Sequence, residues 1–356
     1  MIPFYTEKAE RARSQAKEFG AWLQPYEQEM EDKREIMEDI LGRLWERGYY
    51  GCLIPGQFGG MGGTLFEMCL ILEELAPASP SVSLSLLIQA LGTLLLEQDP
   101  NQERREARLL KIINERKLLA FALSEPRSNQ FETRAEKSGE GFKICGCKIF
   151  VNQVREADWV MVMAESEPGP GIFLLEKGSA GMMVSKDFNR AVARGLSWGE
   201  IFFDQALACE DAVVGEPGEG ERICESALSR TGALVSAMAI GLIESGIEMI
   251  RDKNISLPLS GRFLTESVVE LEAGRALCYQ ASFGIDKNLP GSERLTLAGK
   301  IFTTELAQKF FSRLCEAAGA EGIASDQKLK KWLEFSLLLR SLLGSNSLLL
   351  DTAFQA

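Results

Sequence analysis

A chain of 356 residues, 46% hydrophobic and 25% charged, is long enough for two or three domains with complete cores and needs no staples to fold. Its 51 acidic against 39 basic residues give a net charge of −12, with no basic stripe interleaved with aromatics, which excludes nucleic acid as an expected partner. The chain contains no histidine, so Ser-His-Asp and Cys-His nucleophilic sites and histidine-ligated metal sites are excluded, and any general acid or base is Asp, Glu, Lys, Tyr or Cys.

The opening MIPFYTEKAERARSQAKEFG is charged throughout, unlike a signal peptide or anchor. No apolar run is read as reaching the roughly 18 residues of a membrane span, so the expectation is a cytoplasmic protein without a membrane partner. From residue 5 to about 118 the pattern is helical. TEKAERARSQAKEFGAWL has apolar residues at helical spacing, and REIMEDILGRLWERG places Ile36, Ile40, Leu41 and Leu44 on one face before Gly48 and Gly51 stop it. YYGCLIPGQFGGMGG reads as a loop; it lacks the preceding strand and following Lys-Ser/Thr of a phosphate-binding loop. LFEMCLILEELA and SLSLLIQALGTLLLEQ complete an apolar helical layer.

From 119 to about 215, KLLAFALS, GFKICGCKIFV, ADWVMVMAES, GIFLLEKG, GMMVSKDF and WGEIFFDQALA are short apolar or alternating runs between turn residues. They describe a small β-barrel or sandwich, not a Rossmann sheet, because no helix-length pattern interrupts them. The eight cysteines form no CxxC pair and no zinc spacing, so they are expected as buried thiols in a reducing compartment. Met161, Met163, Met182 and Met183 read as core filling and Trp198 as a packing anchor. After GEPGEGE long helices return, and ALSRTGALVSAMAIGLIESGIEMIRD carries a small-residue stripe suited to close helix packing. The expected organisation is α+β: a helical domain over 1–118, a β domain over 119–220 and a helical bundle over 221–356.

That order, with particular residues, resembles the acyl-CoA dehydrogenase family, whose members have an N-terminal helical domain, a middle β domain and a C-terminal four-helix bundle, with FAD between β domain and bundle. Leu123-Ser124-Glu125-Pro126 is similar to the family's LTEP. TRAEKSG followed by GFKICGCKIFVNQ is similar to the strand pair ending in the flavin-contacting KxWITN. GLSWGEIFFDQALACEDAVVGEPGEG is similar to the stretch ending in VP..N.LG..G.G, and Gly319-Ala320-Glu321-Gly322-Ile323 to GGxGY. The resemblance implies flavin contacts at Leu123, Ser124, Asn129, Phe150, Val151, Asn152, Gly319, Glu321 and Gly322. It implies an acyl-CoA substrate, whose α proton a carboxylate removes while FAD takes a hydride from the β carbon. It further implies a dimer or tetramer, and an electron-transferring flavoprotein as acceptor.

The departures fall on the base and the cofactor. Where most of the family has the glutamate of an EGT sequence, this chain has Leu343-Gly344-Ser345, and the alternative place on the first bundle helix falls on Ser229. Leucine cannot accept a proton. The hairpin at KNISLPLSG, 253–261, is shorter than the family's and lacks the R..FG motif that reaches FAD in a neighbouring subunit. Three readings follow: one subunit of a heteromeric acyl-CoA dehydrogenase whose partner supplies the base; a self-sufficient FAD enzyme with a base relocated to Glu321, Glu225 or Tyr279; or a non-catalytic acyl-CoA-binding scaffold.

Overall fold

A computed structural model describes residues 5–126, 132–139, 141–185, 187–188, 190–251, 261–325 and 327–352. The N-terminal helices are α1 (Glu7–Leu23), α2 (Glu27–Lys33), α3 (Glu38–Glu46), α4 (Leu65–Leu75), α5 (Pro80–Glu97) and α6 (Gln102–Asn114). Their starts are fixed by side-chain caps: Thr6, Ser79 and Asn101 each accept a hydrogen bond from a first-turn amide, and Thr64 with Glu67 forms a reciprocal capping box on α4.

The middle domain contains β1 (Leu119–Ala122), β2 (Arg134–Ser138), β3 (Gly141–Asn152), β4 (Trp159–Ala164), β5 (Gly171–Glu176), β6 (Met182–Val184), β7 (Trp198–Cys209) and β8 (Val213–Val214). They form two four-stranded sheets, in the orders β1-β4-β5-β8 and β2-β3-β7-β6. Ile144, Val151, Ile201, Phe203 and Ala206 of the second sheet share one core with Val160, Val162, Phe173 and Leu175 of the first, which makes the domain a sandwich. Two expectations are corrected here. Cys145 and Cys209 are exposed, and Met183 points to solvent at 57% exposure while Met161 and Met163 are buried.

The bundle comprises α7 (Gly220–Arg251), α8 (Gly261–Asp286), α9 (Ser292–Ser325), α10 (Gln327–Ser341) and α11 (Asn346–Thr352). The small-residue stripe of α7 does what its composition implies. A Cβ at Gly241 would come within 1.9 Å of the Glu73 carbonyl on α4, so only glycine permits that approach. Charge ties α4 to α1 and α8 as well: the buried Glu73 carboxylate accepts from Arg13 Nη2 at 3.0 Å, Arg275 Nε at 3.1 Å and the Tyr279 hydroxyl at 2.8 Å. Asp286, at the end of α8, accepts from the Leu65 and Phe66 amides and so caps α4 from the bundle side.

Among the described residues three helices are long and apolar enough, by length and composition, to cross a membrane: Pro80–Glu97, Gly220–Arg251 and Gln327–Asp351. This corrects the expectation that no run reaches that length. The apolar windows of the first two are 94% and 72% buried inside the protein; the third is 28% buried and is broken by the turn after Ser341.

Candidate active site

The C-terminal end of β3 is bent outward by a β-bulge. Lys148 pairs with Ile201 and Val151 with Gly199, so Ile149 and Phe150 together oppose Glu200 alone. Phe150 has a φ of +54° and is 56% exposed, with its ring centroid 5.6 Å from that of Phe188. Beyond the bulge Val151 returns to the core, and Asn152 pairs with Trp198 at the start of β7.

The end of β1 is brought to the same place. The Ile149 amide donates to the Ser124 carbonyl at 2.8 Å. Beneath this contact Lys148, 0% exposed at its side chain, lies 2.6 Å from Glu125 and also donates to the Leu123 carbonyl at 3.0 Å. Glu125 additionally accepts from the Thr133 amide at 3.1 Å and from the Glu132 amide. Burial by itself would push the Glu125 carboxyl up, but the bonds from Lys148 and the two amides bring it below the usual carboxylate range; burial pushes the Lys148 ammonium down. One buried ion pair thus fixes both edges of the surface formed by Leu123, Ser124, Phe150 and Asn152.

Two buried polar atoms beside this surface have no hydrogen-bond partner among the described residues: Asn152 Oδ1 and Trp198 Nε1. Such atoms cost free energy unless something supplies the missing bond. An acceptor and a donor on paired strand positions, next to an outward aromatic ring, fit the edge of a planar heteroaromatic group such as an isoalloxazine. Trp198, expected as a packing anchor, also receives Arg190 over its ring at 5.0 Å. Its unpaired nitrogen could not be read from sequence, because it depends on what its neighbours leave unmade.

Of the remaining expected contacts, Asn129 and residues 252–260 of the hairpin lie outside the described residues. Gly319 breaks α9 with φ +64° and ψ −173°. The backbone at Glu321 and Gly322 is helical, and the Glu321 side chain lies outside the described set. Ala320 and Ala324 line a cavity of about 770 Å³ together with Glu31, Arg194 and Lys331, whereas none of Leu123, Ser124, Phe150 and Asn152 lines it.

The two base positions are also placed. Leu343 sits in the turn between α10 and α11 with φ +56°, and packs on the apolar cluster that includes Leu91, Leu94 and Ala227; Leu123 and Leu228 pack on that same cluster. The expected base position and one expected flavin position thus pack on the same cluster, which also holds Trp159, Met161 and Met163. Ser229 is buried and its hydroxyl donates to the Ser226 carbonyl at 2.9 Å. Of the candidates for a relocated base, Glu225 is exposed on α7 and Tyr279 is spent on Glu73, where burial and that carboxylate push its phenol up.

Three family models match the chain in sequence order: the acyl-CoA dehydrogenase N-terminal domain over residues 6–116, the middle domain over 120–206 and the C-terminal domain over 218–356. The chain belongs to the acyl-CoA dehydrogenase family. Probable acyl-CoA dehydrogenase FadE25 of Mycobacterium tuberculosis is 24% identical over 345 residues, covering 92% of this chain and 89% of that protein. The butyryl-CoA dehydrogenase structure from Megasphaera elsdenii superposes with a TM-score of 0.91 at 22% identity, covering 99% of this chain and 98% of that one. The FAD complex of PigA gives 0.90 at 19% identity, covering 99% and 97%. The α+β architecture expected of an acyl-CoA dehydrogenase is the observed one, and the family's cofactor is FAD.

Proposed function

We infer that this acyl-CoA dehydrogenase-type flavoprotein works as one subunit of a heteromeric enzyme in the cytoplasm, with a second family member supplying the catalytic carboxylate. The observation that carries this reading is an asymmetry. The Lys148–Glu125 clamp, the Phe150 bulge and the unpaired atoms of Asn152 and Trp198 keep a cofactor surface, while the base positions hold Leu343 and Ser229, neither of which takes a proton at neutral pH.

FAD, when bound, is the hydride acceptor for the β carbon of an acyl thioester. The chain's own residues then have defined tasks. Asn152 Oδ1 would accept from and Trp198 Nε1 would donate to the edge of that group, and Phe150 would cover it. The reduced group would pass its electrons to an electron-transferring flavoprotein.

The test is co-expression of the chain with a family member that carries the EGT glutamate. The complex should purify with bound flavin and oxidise an acyl-CoA, and activity should vanish when that glutamate is changed to Gln in the partner. A homomeric preparation that oxidises acyl-CoA would exclude the reading.

A further inference from the structure

The turn that carries Leu343 is gripped from one side by α9. Lys300 is 1% exposed, and its Nζ donates to the Arg340 carbonyl at 3.4 Å and to the Gly344 carbonyl. Thr304 Oγ1 accepts from Asn346 Nδ2 at 3.0 Å. Glu305 accepts from Arg340 Nε at 2.9 Å, from Arg340 Nη2 at 2.6 Å and from Asn346 Nδ2 at 2.9 Å. Positions 300, 304 and 305 face the same way because four residues make about one helical turn. They hold the end of α10, the turn and the start of α11 at once.

The grip maintains a backbone that leucine disfavours. The left-handed position just past a helix end is ordinarily glycine's, yet Leu343 occupies it, and Gly344 follows at φ +96°. Leu343 packs on two clusters, one formed by the bundle and N-terminal helices and the other by α5, α6, β4 and the start of α7. Lys300 makes no ion pair among the described residues; its partners are the Arg340 carbonyl, at the negative end of α10, and the Gly344 carbonyl in the turn.

Resting on the reading above that places the family's base position at residue 343, we propose that the α9 cradle of Lys300, Thr304 and Glu305 holds Leu343 as a plug in the acyl end of this chain's own site. The plug shuts that half-site to thioester chains. Lys300 is the positioning residue. Acyl-CoA is then turned over only at the partner's half-site, and removing the plug opens this one to an apolar chain.

The experiment titrates CoA and hexanoyl-CoA into the flavin-loaded full chain by calorimetry, for wild type, Leu343→Gly, Leu343→Ala, Lys300→Met and Lys300→Gln. Wild type should bind hexanoyl-CoA no more tightly than CoA. Leu343→Gly should bind hexanoyl-CoA about 10- to 100-fold more tightly than CoA, since the vacated space takes up two to three methylenes. Lys300→Met should gain part of this, and Lys300→Gln, which keeps a donor for the carbonyls, should stay near wild type. Leu343→Gly also relieves the positive φ, and Leu343→Ala carries the test if Lys300→Met fails to fold. Hexanoyl-CoA preferred by wild type, or no preference in Leu343→Gly and Leu343→Ala, overturns the plug. If CoA itself binds to no variant, the reading of the site fails and the proposal with it.

Discussion

Replacing Lys148 by Met tests whether the Lys148–Glu125 pair organises the cofactor surface. The lysine side chain is 0% and the glutamate side chain 4% exposed, with 2.6 Å between the charged atoms. Removing one member of such a buried pair destabilises by about 3–5 kcal/mol, because the other charge remains in a low-dielectric site. Glu125 keeps the amides of Thr133 and Glu132, which places the expected loss at the lower end, about 3 kcal/mol. Replacing both residues, Lys148→Met with Glu125→Met, removes the stranded charge and should recover most of that loss. The assay is urea unfolding followed by circular dichroism, with flavin content measured on the same samples. Lys148→Met should lower both stability and flavin content, and the double variant should restore stability while flavin stays low, because the Leu123–Ser124 edge has lost its anchor. A single variant costing less than about 1 kcal/mol, or a double variant restoring full flavin content, would refute the reasoning.

Leu343→Glu alone should not yield a fast dehydrogenase, since the hairpin departs from the family as well; flavin bleaching by acyl-CoA in this variant at family-like rates counts against that. Tyr279→Phe should cost about 1.5–3 kcal/mol by removing a hydrogen bond to the buried Glu73 carboxylate, and should leave flavin content unchanged; altered flavin binding would return Tyr279 to the site. Burial pushes the Glu27 carboxyl up from 4.5 to about 8, so the folded chain holds that proton more tightly. Its contribution is fully present below pH 4.5 and is lost as pH rises through about 8, and unfolding of Glu27→Gln should lack this slope. Burial lowers Lys300 from 10.5 to about 8; its contribution is present above pH 10.5 and lost as pH falls through about 8, a slope that Lys300→Met should remove.

Much of the fold was legible because it rests on local periodicity. The stripe on α3, the small-residue face of α7 and the strand runs of the β domain all follow from side-chain spacing. The two polar helices α2 and α6 carried weaker signals: EQEMEDK has little apolar contrast, and QERREARLLKIIN has its apolar residues only at one end. Positions set by pairing were not legible. Phe150 faces outward only because β7 offers one residue opposite two, and Cys145 is exposed beside the irregularity at Gly146, whose φ is +144°. Leu343 could be read from sequence as a missing carboxylate, but not as a residue held in a left-handed turn. That depends on Lys300 and Glu305, roughly forty residues away in sequence, which reach it only through the α9–α10 packing.

The central claim is that this chain keeps the flavin surface and lacks the base. The most direct measurement is the visible absorption spectrum of the flavin-loaded chain, alone and in complex with a glutamate-bearing family member, before and after addition of acyl-CoA under anaerobic conditions. The account predicts a flavin band that acyl-CoA leaves unchanged for the chain alone and bleaches in the complex. Bleaching of the chain alone would contradict it.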